Sequence, residues 1–393
     1  MSLDASDARP FRAFVAREIA PHADRFEREQ AIDGAVVRAL AREGYLGAAV
    51  PAHLGGAPLD PVAFGELNAE VGRACSSVRS LITVHSMVCT ALARWGTAEQ
   101  RRRWLPELAA GRTIAAFALT EPQAGSDIER IETRATRRHG HYVLDGRKCW
   151  ISFAQIADVI LVFSRIDGQA AAFLVDRDTP GLSVRPVADM LGLRASMLAE
   201  LNFADCAIPQ DRLIGRAGFG LSAVAASALD VGRYSVAWGC VGIAEACLEA
   251  SLGHALARRQ FGASLASHQL IKRRLAEMAA DVKTARLLCR HAGTLRAAGR
   301  PESVMETCLA KYVAARACVE AASAAVQIHG AIGCSAESPV GRYFRDAKIM
   351  EIIEGSTEMQ QLLIADYEIA AYEHRDATDR ARRHAGDHAE IAG

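Results

Sequence analysis

The spacing of apolar residues changes twice along the chain, and this order of segments restricts the folds that it can adopt. From about residue 8 to 115, apolar residues recur every three or four positions, as in amphipathic helices. From about 116 to 215 the period is close to two, which is typical of strands. From about 219 to 372 the helical period returns. The pattern therefore predicts an α-helical domain, a β domain and a second α-helical domain.

The boundaries between these parts follow from the changes of period. We predict an N-terminal helical domain at 1–115, a middle β domain at 116–217 and a C-terminal helical domain at 218–372. Residues 373–393 are charged and rich in His, with almost no large apolar side chain, which predicts a disordered tail. Helical blocks are expected at 31–46, 67–93 and 99–108.

The middle segment has no helical pattern between its strand-like runs, so its sheet is predicted to be antiparallel. The dipeptides His139-Gly140 and Asp167-Gly168 are typical of hairpin turns. The expected strands lie at 131–136, 142–144, 159–163, 171–175 and 182–184.

Composition excludes several classes of function. Lys plus Arg and Asp plus Glu each number 46, so no basic surface for nucleic acid is expected. No apolar run is judged long enough to cross a bilayer, and the first ten residues lack the apolar core of a signal peptide. Ten scattered cysteines without a C-x-x-C pair indicate a reduced, cytoplasmic protein. The histidines include no H-E-x-x-H pair, so no metal site is predicted.

Four short segments have residue types suited to chemistry. The segment 116–127 is a strand that ends in a Pro, Gly and Ser loop, whose N–H groups and hydroxyls suit phosphate oxygens. Trp150, in 146–152, offers a broad apolar wall. Arg258 begins the run Arg-Arg-Gln-Phe-Gly. Glu354 lies in an apolar run before Gly355, where burial raises a carboxyl pKa toward neutrality and suits a general base.

Each of these features also fits a structural role when it is judged by residue type alone. A Glu at a helix start is commonly a partner of the helix dipole, and a lone Trp is more often core than cofactor wall. Segment 116–127 also fits a simple strand-to-turn junction, and Arg258 a solvated helix end.

These four segments and a fifth, 327–333, together resemble the acyl-CoA dehydrogenase family, in the right order and over about residues 10–370. Residues 352–360 resemble I-Y-E-G-T-S-Q-I-Q, and 116–127 resemble A-x-T-E-P-x-A-G-S-D. Residues 146–152 are similar to G-x-K-x-W-I-T, 258–262 to R-x-Q-F-G and 327–333 to Q-x-x-G-G-x-G. The resemblance implies an N-terminal helical domain, a middle antiparallel β domain and a C-terminal four-helix bundle.

The resemblance also implies FAD as cofactor and Glu354 as the base that removes the α-proton of an acyl thioester. Ser126, Arg233 and Gly355 are implied to bind the substrate. Ser152 and Ala331 replace the family's usual Thr and Gly. The residues implied to bind the cofactor are Phe117, Leu119, Thr120, Ser126, Trp150, Ile151, Ser152, Arg258, Phe261, Gln269, Gln327, Gly330, Ala331, Ser356 and Glu358.

Some members of the family carry the base on an earlier helix, in an L-D-x-E-R run. Here that run has Gly232 at the position of the base, between Asp230 and Arg233, so the role falls to Glu354. R-x-Q-F-G acts across subunits in the family, which implies a homotetramer or dimer. The implied electron acceptor is an electron-transfer flavoprotein or oxygen.

Three functions are compatible with the sequence. The first is dehydrogenation of an acyl-CoA in fatty-acid or branched-chain degradation. The second is the same reaction on an acyl group held by a carrier protein, in polyketide extender-unit or other secondary-metabolite biosynthesis, which the run 80–88 and Leu198 suggest. The third is a flavoprotein that binds or assembles without turnover. Acyl chain length, the acceptor and the pathway are left open.

Overall fold

The computed structural model describes residues 8–336 and 338–390, with side chains as far as His374. The N-terminal part is helical, as predicted. Asp60 caps the fourth helix by accepting hydrogen bonds from the amides of Val62 and Ala63. The helices are α1 (Arg9–Glu18), α2 (Ala23–Glu29), α3 (Gly34–Arg42), α4 (Pro61–Ala74), α5 (Ser76–Trp95) and α6 (Ala98–Ala109).

The block predicted at 67–93 is in fact two helices, because the backbone at Cys75 is extended and separates α4 from α5. Helix α5 is buried along almost its whole length. It is fixed to the middle domain by His85, whose Nδ1 accepts a hydrogen bond from the Ala115 amide while Nε2 donates to the carbonyl of Leu108. Burial lowers the pKa of His85 to about 4, so this histidine is neutral at physiological pH.

The middle part forms one sheet of eight strands, ordered β6-β7-β3-β2-β4-β5-β8, with β1 beside β4. The hairpin turns predicted at 139–140 and 167–168 are confirmed, because they join β2 to β3 and β4 to β5. The strands are β1 (Ala115–Ala118), β2 (Arg134–Arg138), β3 (His141–Ile151), β4 (Val159–Ile166), β5 (Gln169–Asp176), β6 (Leu182–Pro186), β7 (Ala199–Pro209) and β8 (Leu213–Ile214).

Two features of the sheet differ from the prediction. The sheet is mixed, since β1 lies parallel to β4 and β2 pairs with β4 in parallel at Arg134 and Arg165. β1 enters from the helical domain without a hairpin, so nothing in its connection forces an antiparallel pairing. Strand β7 was not predicted; its buried side chains, such as Leu201 and Phe203, alternate with exposed ones such as Asn202, which weakens its apolar signal.

The C-terminal part is built of long helices, as predicted. Helix α7 is the centre of the bundle and packs against α4, α5, α8 and α9. Its Trp238 is fully buried, and Gly65 of α4 leaves the room for the indole ring. The elements are α7 (Ala226–Ala257), β9 (Arg259–Gln260), β10 (Ala263–Ser264), α8 (Gln269–Ala297), α9 (Ser303–His329), α10 (Val340–Met350) and α11 (Thr357–Glu390).

Two expectations about the C-terminal part need correction. Residues 220–257 are long and apolar enough to cross a membrane, contrary to the prediction, but 67% of the most apolar window is buried in the protein, as expected for a bundle's central helix. The backbone of α11 is helical through 373–390, where a disordered tail is predicted. The Ala, Arg and Glu of this segment are good helix formers, which the compositional argument did not weigh. Residues 391–393 lie outside the described part.

The loop before β7 joins the sheet to the helices. The Leu193 amide donates to Asp346 of α10, and the Ala195 amide donates to Ser77 of α5. Ser196 contributes two contacts, since its hydroxyl bonds with Ser80 and its carbonyl accepts from the amide of Phe153. The end of β3, with Trp150, is thereby held against α5 and α10.

Candidate active site

Glu354 lies in a short turn between α10 and α11, and its backbone is left-handed, with φ 55°. Such a conformation is strained for a residue with a side chain, so the surroundings must hold it. Arg233 Nε of α7 donates to the Glu354 carbonyl at 3.2 Å. Lys311 Nζ of α9 donates to the Gly355 carbonyl at 2.8 Å, and Gln360 Nε2 of α11 donates to the same oxygen at 3.2 Å. Three helices thus fix the turn.

The carboxyl group of Glu354 is placed in the interior. Part of the residue's surface is accessible, but its Oε2 atom is buried and has no hydrogen-bond partner among the described residues. Burial raises the pKa of Glu354 to about 7, although the positive charges of Arg233, Arg79 and Lys311 act in the opposite direction. A carboxyl with a pKa near neutrality is matched to general-base work at physiological pH.

Gly232 of α7 provides the space for this carboxyl. A Cβ atom built on Gly232 would lie 2.5 Å from Glu354 Oε2 and 2.9 Å from the sulfur of Met87. The position at which some family members carry the base is therefore occupied here by the side chain of Glu354 itself. The sequence indicated the absence of an acid at 232, but not this contact.

The loop after β1 is fixed by a buried ion pair. Lys148 Nζ lies 2.6 Å from Glu121 Oε1 and donates to the Leu119 carbonyl at 3.0 Å. Burial lowers the pKa of Lys148 to about 8. Burial opposes ionisation of Glu121 as well, but Lys148 and the amides of Glu132 and Thr133 keep the pKa of this carboxyl below its usual value. Both residues stand in the recognised motifs, yet neither was predicted as a site residue.

Thr120, in the loop just after β1, lies beside the end of β3 that carries Trp150, because the Cys149 amide donates to the Thr120 carbonyl at 3.0 Å. The Trp150 side chain is 52% exposed, and its backbone has φ 60°. Strained backbone conformations cluster at ligand sites, and an exposed aromatic ring offers a contact surface, so Trp150 is a candidate for contact with a ligand. Ile151 beside it is buried and Ser152 is partly exposed.

The same end of the sheet fits a flavin dinucleotide. Leu119 and Phe117 offer apolar contact, the latter packed against Phe163 with ring centroids 5.0 Å apart. Ser126 is exposed, and a Cβ built on Gly125 would meet no atom within 4 Å, so the loop has open space for a phosphate group. An aromatic wall, hydroxyl groups and an open glycine loop are what an isoalloxazine ring and a pyrophosphate require.

A second group of predicted residues lies at the far ends of α7 and α9. Arg258, Phe261 and Gln269 are all exposed, and the Phe261 side chain, at the tip of the β9–β10 hairpin, is 96% exposed. Gln327, Gly330 and Ala331 are exposed at the end of α9.

The two segments are neighbours, because His254 of α7 stacks on His329 of α9 with ring centroids 4.3 Å apart. A Cβ on Gly330 would meet no atom within 4 Å, and the Ala331 methyl group faces outward. Within the described part of the chain, no hydrogen bond links this group to Trp150 or Glu354.

The remaining predicted residues lie close to Glu354. Ser356 Oγ accepts a hydrogen bond from the Met359 amide in the first turn of α11, where Glu358 is exposed. Arg233 and Gly355 are engaged in holding the turn, and their contact with substrate is a prediction. Sequence reasoning missed Lys311 and Gln360, which both donate to the Gly355 carbonyl from 44 and 5 residues away along the chain. A buried polar side chain in a helix is the feature that could have indicated them.

One open cleft lies away from this site. It measures about 450 Å³ and is lined by Arg12, Glu70 and Arg286 among others, but not by Glu354. Most of its charges are paired; for example, Arg12 binds Glu70 and Arg286 binds Glu66. The charged side chains of this cleft therefore serve mainly to form ion pairs between helices, and we do not take the cleft as a candidate active site.

Comparison with known proteins gives matches over nearly the whole chain. Residues 8–112 match the acyl-CoA dehydrogenase N-terminal domain, 116–206 the middle domain and 218–368 the C-terminal domain. Mouse (Mus musculus) mitochondrial short-chain specific acyl-CoA dehydrogenase is 37% identical over 367 residues, covering 92% of this chain and 89% of the mouse protein.

Two solved structures extend the comparison. Butyryl-CoA dehydrogenase from Megasphaera elsdenii is 30% identical with a TM-score of 0.89. The match covers 93% of this chain and 98% of the butyryl-CoA dehydrogenase chain. FkbI, described for biosynthesis of the methoxymalonyl extender unit of the Fk520 polyketide, is 35% identical with a TM-score of 0.85. The match covers 92% of this chain and 99% of the FkbI chain.

Proposed function

Since the chain belongs to the acyl-CoA dehydrogenase family, an FAD-dependent family of enzymes, we propose that it removes the α- and β-hydrogens of an acyl thioester with Glu354 as the base. The observation that carries this proposal is the buried Oε2 of Glu354, which has no hydrogen-bond partner among the described residues, together with the raised pKa of this carboxyl, about 7. Bound FAD would supply the acceptor for the β-hydride.

Glu354 acts by taking the α-proton onto its carboxylate. Burial disfavours the charged carboxylate, so receiving a proton relieves an unfavourable state. Arg233 and Lys311 hold the turn through carbonyl oxygens and leave the carboxyl itself unbonded. The Glu354 amide is a proposed donor to the thioester carbonyl, which would lower the cost of negative charge on that oxygen.

The cofactor is proposed to lie between the exposed face of Trp150 and the loop that begins at Leu119. Thr120, Ser126 and Ser152 would donate hydrogen bonds, and the buried pair of Glu121 and Lys148 would keep the loop in place. Arg258, Phe261, Gln269, Gln327 and Gly330 would act on the cofactor of a neighbouring subunit in a homo-oligomer. This arrangement is consistent with their exposure and with their lack of hydrogen bonds to the site in one chain.

A second candidate substrate is an acyl group bound to a carrier protein. The polyketide extender-unit protein is 35% identical to this chain, close to the 37% of the mouse short-chain specific acyl-CoA dehydrogenase, so identity alone does not separate the two substrates. Leu198, where the family usually has Thr, favours the carrier-bound substrate. We propose a cytoplasmic enzyme in either case, with an electron-transfer flavoprotein or oxygen as the acceptor.

The test is flavin reduction under anaerobic conditions by acyl-CoA and by the same acyl groups on a phosphopantetheinylated carrier protein. Loss of the flavin's visible absorbance with either type of thioester supports the proposal. The type that reduces the flavin faster shows whether the acyl group is presented on CoA or on a carrier protein. Glu354→Gln should lose flavin reduction with both types of thioester. The matched control is Glu351→Gln, on the same turn, where the carboxylate pairs with Lys348 at 2.7 Å, and it should keep flavin reduction. A protein whose flavin is reduced by neither type would contradict the proposal.

A further inference from the structure

Lys311 of α9 is a buried cation whose hydrogen bond does not by itself require a charge. Its ammonium group donates to the Gly355 carbonyl at 2.8 Å and forms no ion pair with a carboxylate among the described residues. Gln360 of α11 donates to the same oxygen from a neutral amide at 3.2 Å. A carbonyl oxygen accepts hydrogen bonds from neutral donors as well as from charged ones, so the bond alone gives no reason for an ammonium group.

Placing this ammonium group in the interior is costly. An ion that leaves water loses its hydration, and a neutral polar side chain would bind the Gly355 carbonyl at a lower cost. Burial lowers the pKa of Lys311, as expected for a cation in such a place. A charge also acts over a longer distance than a hydrogen bond does. The role of the charge is therefore to be sought among the ionisable groups around it.

The ionisable groups that face Lys311 differ in their need for a positive charge. They are Cys240 and Arg233 on α7, and Glu351 and Glu354 on the turn. Arg233 is itself a cation, Cys240 is a weak hydrogen-bonding partner, and the Glu351 carboxylate has another lysine at 2.7 Å. Glu354 differs from them, because the buried Oε2 of its carboxyl has no hydrogen-bond partner in the described part of the chain.

The position of Lys311 ties it to the same carboxyl through the backbone. Gly355, whose carbonyl the ammonium group binds, directly follows Glu354 in the chain. Both residues have a left-handed backbone, with φ 55° and φ 90°. The cations that face the Glu354 carboxyl are Arg79 on α5, Arg233 on α7 and Lys311 on α9. Lys311 thus acts on Glu354 in two ways, by holding the turn and by its charge.

We propose that Lys311 is a positioning residue whose positive charge, and not only its hydrogen bond, keeps Glu354 ionised at the pH at which it must accept the proton. This inference rests on the proposed function, because it assigns a partner to the base. Glu354 has to be a carboxylate before it can take a proton, and burial opposes its ionisation. A cation in the same buried region favours the carboxylate, and the low dielectric of the interior strengthens the effect.

Lys311→Met and Gln360→Met separate the charge from the hydrogen bond. Lys311→Met removes both, so Glu354 should need a higher pH to ionise, and the acid limb of the rate of flavin reduction should move up by roughly one pH unit. On that limb the rate should then be about tenfold lower than in the wild type at the same pH. Gln360→Met removes a hydrogen bond to the same oxygen but no charge. It should lower the rate on the plateau and leave the limb in place.

The experiment uses the FAD-loaded enzyme and the thioester that reduces the wild-type flavin fastest. Single-turnover rates are measured across the acid limb and the plateau. The infrared C=O band of the protonated carboxyl, identified by its absence in Glu354→Gln, gives the same titration without turnover. Lys311→Arg keeps the charge and should keep the limb near its wild-type position. The control is Arg316→Gln, which removes an exposed cation from the same helix and should not move the limb.

A limb and an infrared titration of Lys311→Met that coincide with those of the wild type would overturn the inference. An equal displacement of the limb in Gln360→Met would overturn it as well, because the position of the turn would then set the limb. Both results leave the proposed function intact, whereas a wild-type flavin that no thioester reduces would overturn the function. If Lys311→Met does not fold, Lys311→Gln takes its place with the same expected displacement, since a neutral polar side chain can keep a hydrogen bond in the interior.

Discussion

The reactivity of Glu354 depends on its neighbours binding the backbone of the turn and not its carboxyl group. Arg233 and Lys311 bind carbonyl oxygens of the turn, and no described side chain donates a hydrogen bond to Oε2. The sequence predicted this residue because Glu354 is local to its motif. It did not predict Arg79 or Gly232, because their relation to Glu354 depends on α5 and α7 packing against a turn more than 100 residues later in the chain.

Gly232→Ala should slow flavin reduction without loss of FAD. Its new Cβ would lie 2.5 Å from Glu354 Oε2, closer than van der Waals contact, and would displace the carboxyl from the α-carbon. The control is Gly253→Ala on the same helix, where a Cβ meets no atom within 4 Å and helix propensity predicts a gain of up to about 1 kcal/mol in stability. Single-turnover rates and FAD content are measured for both. Equal rates for Gly232→Ala and wild type would show that the carboxyl does not occupy this space.

At the scale of elements, the loop after β1 is held by one ion pair. Lys148→Met should lower the free energy of unfolding by about 3–5 kcal/mol, because it leaves the Glu121 carboxylate buried without its counter-charge. Urea unfolding measures the change. Glu277→Gln, which breaks the exposed pair of Arg273 and Glu277 on α8, is the control and should have no measurable effect. A loss as small as that of the control would mean that Lys148 does not fix the loop.

The β9–β10 hairpin is predicted to bind cofactor and not to support folding. Arg258→Ala should weaken FAD binding by roughly 1.5–3 kcal/mol, the contribution of a charged hydrogen bond, with the unfolding midpoint of the FAD-free protein unchanged. FAD affinity is measured by titration of the FAD-free protein. Arg102→Ala, an exposed arginine on α6, provides the comparison. An FAD affinity equal to that of the wild type would exclude Arg258 from the site.

The period of apolar residues was sufficient to predict most elements. It failed where exposed polar residues hide a strand or where packing between distant segments decides the structure. β7 alternates buried and exposed residues but includes Asn202 and Asp205 on its exposed face, so no apolar run was visible. The break at Cys75 carries no Pro or Gly, and its extended backbone is a consequence of packing between α4 and α5. The parallel pairing of β1 with β4 is a long-range contact that no local pattern encodes.

At the scale of the whole molecule, exposed apolar side chains form a surface suited to contact with another protein chain. Leu256, Leu270 and Phe261 are 69%, 75% and 96% exposed on or beside the ends of α7 and α8. Such surfaces are typical of protein contacts. We expect the purified protein to be yellow, with one FAD per chain, and to have the mass of a dimer or tetramer in light scattering. Phe261→Asp should lower both the mass and the FAD content, whereas a monomer that retains FAD would contradict assembly across this surface.

The central claim is that Glu354 is the base, and its most direct test is the pH dependence of flavin reduction in a single turnover. Because the pKa of Glu354 is raised to about 7, the wild-type rate should fall about tenfold per pH unit below this value and level off above it, where the carboxylate is ionised. Glu354→Gln should keep FAD but reduce it at least ~100-fold more slowly at every pH. A Glu354→Gln enzyme whose flavin is reduced at nearly the wild-type rate would contradict the account, and Glu351 would be the next carboxylate to test.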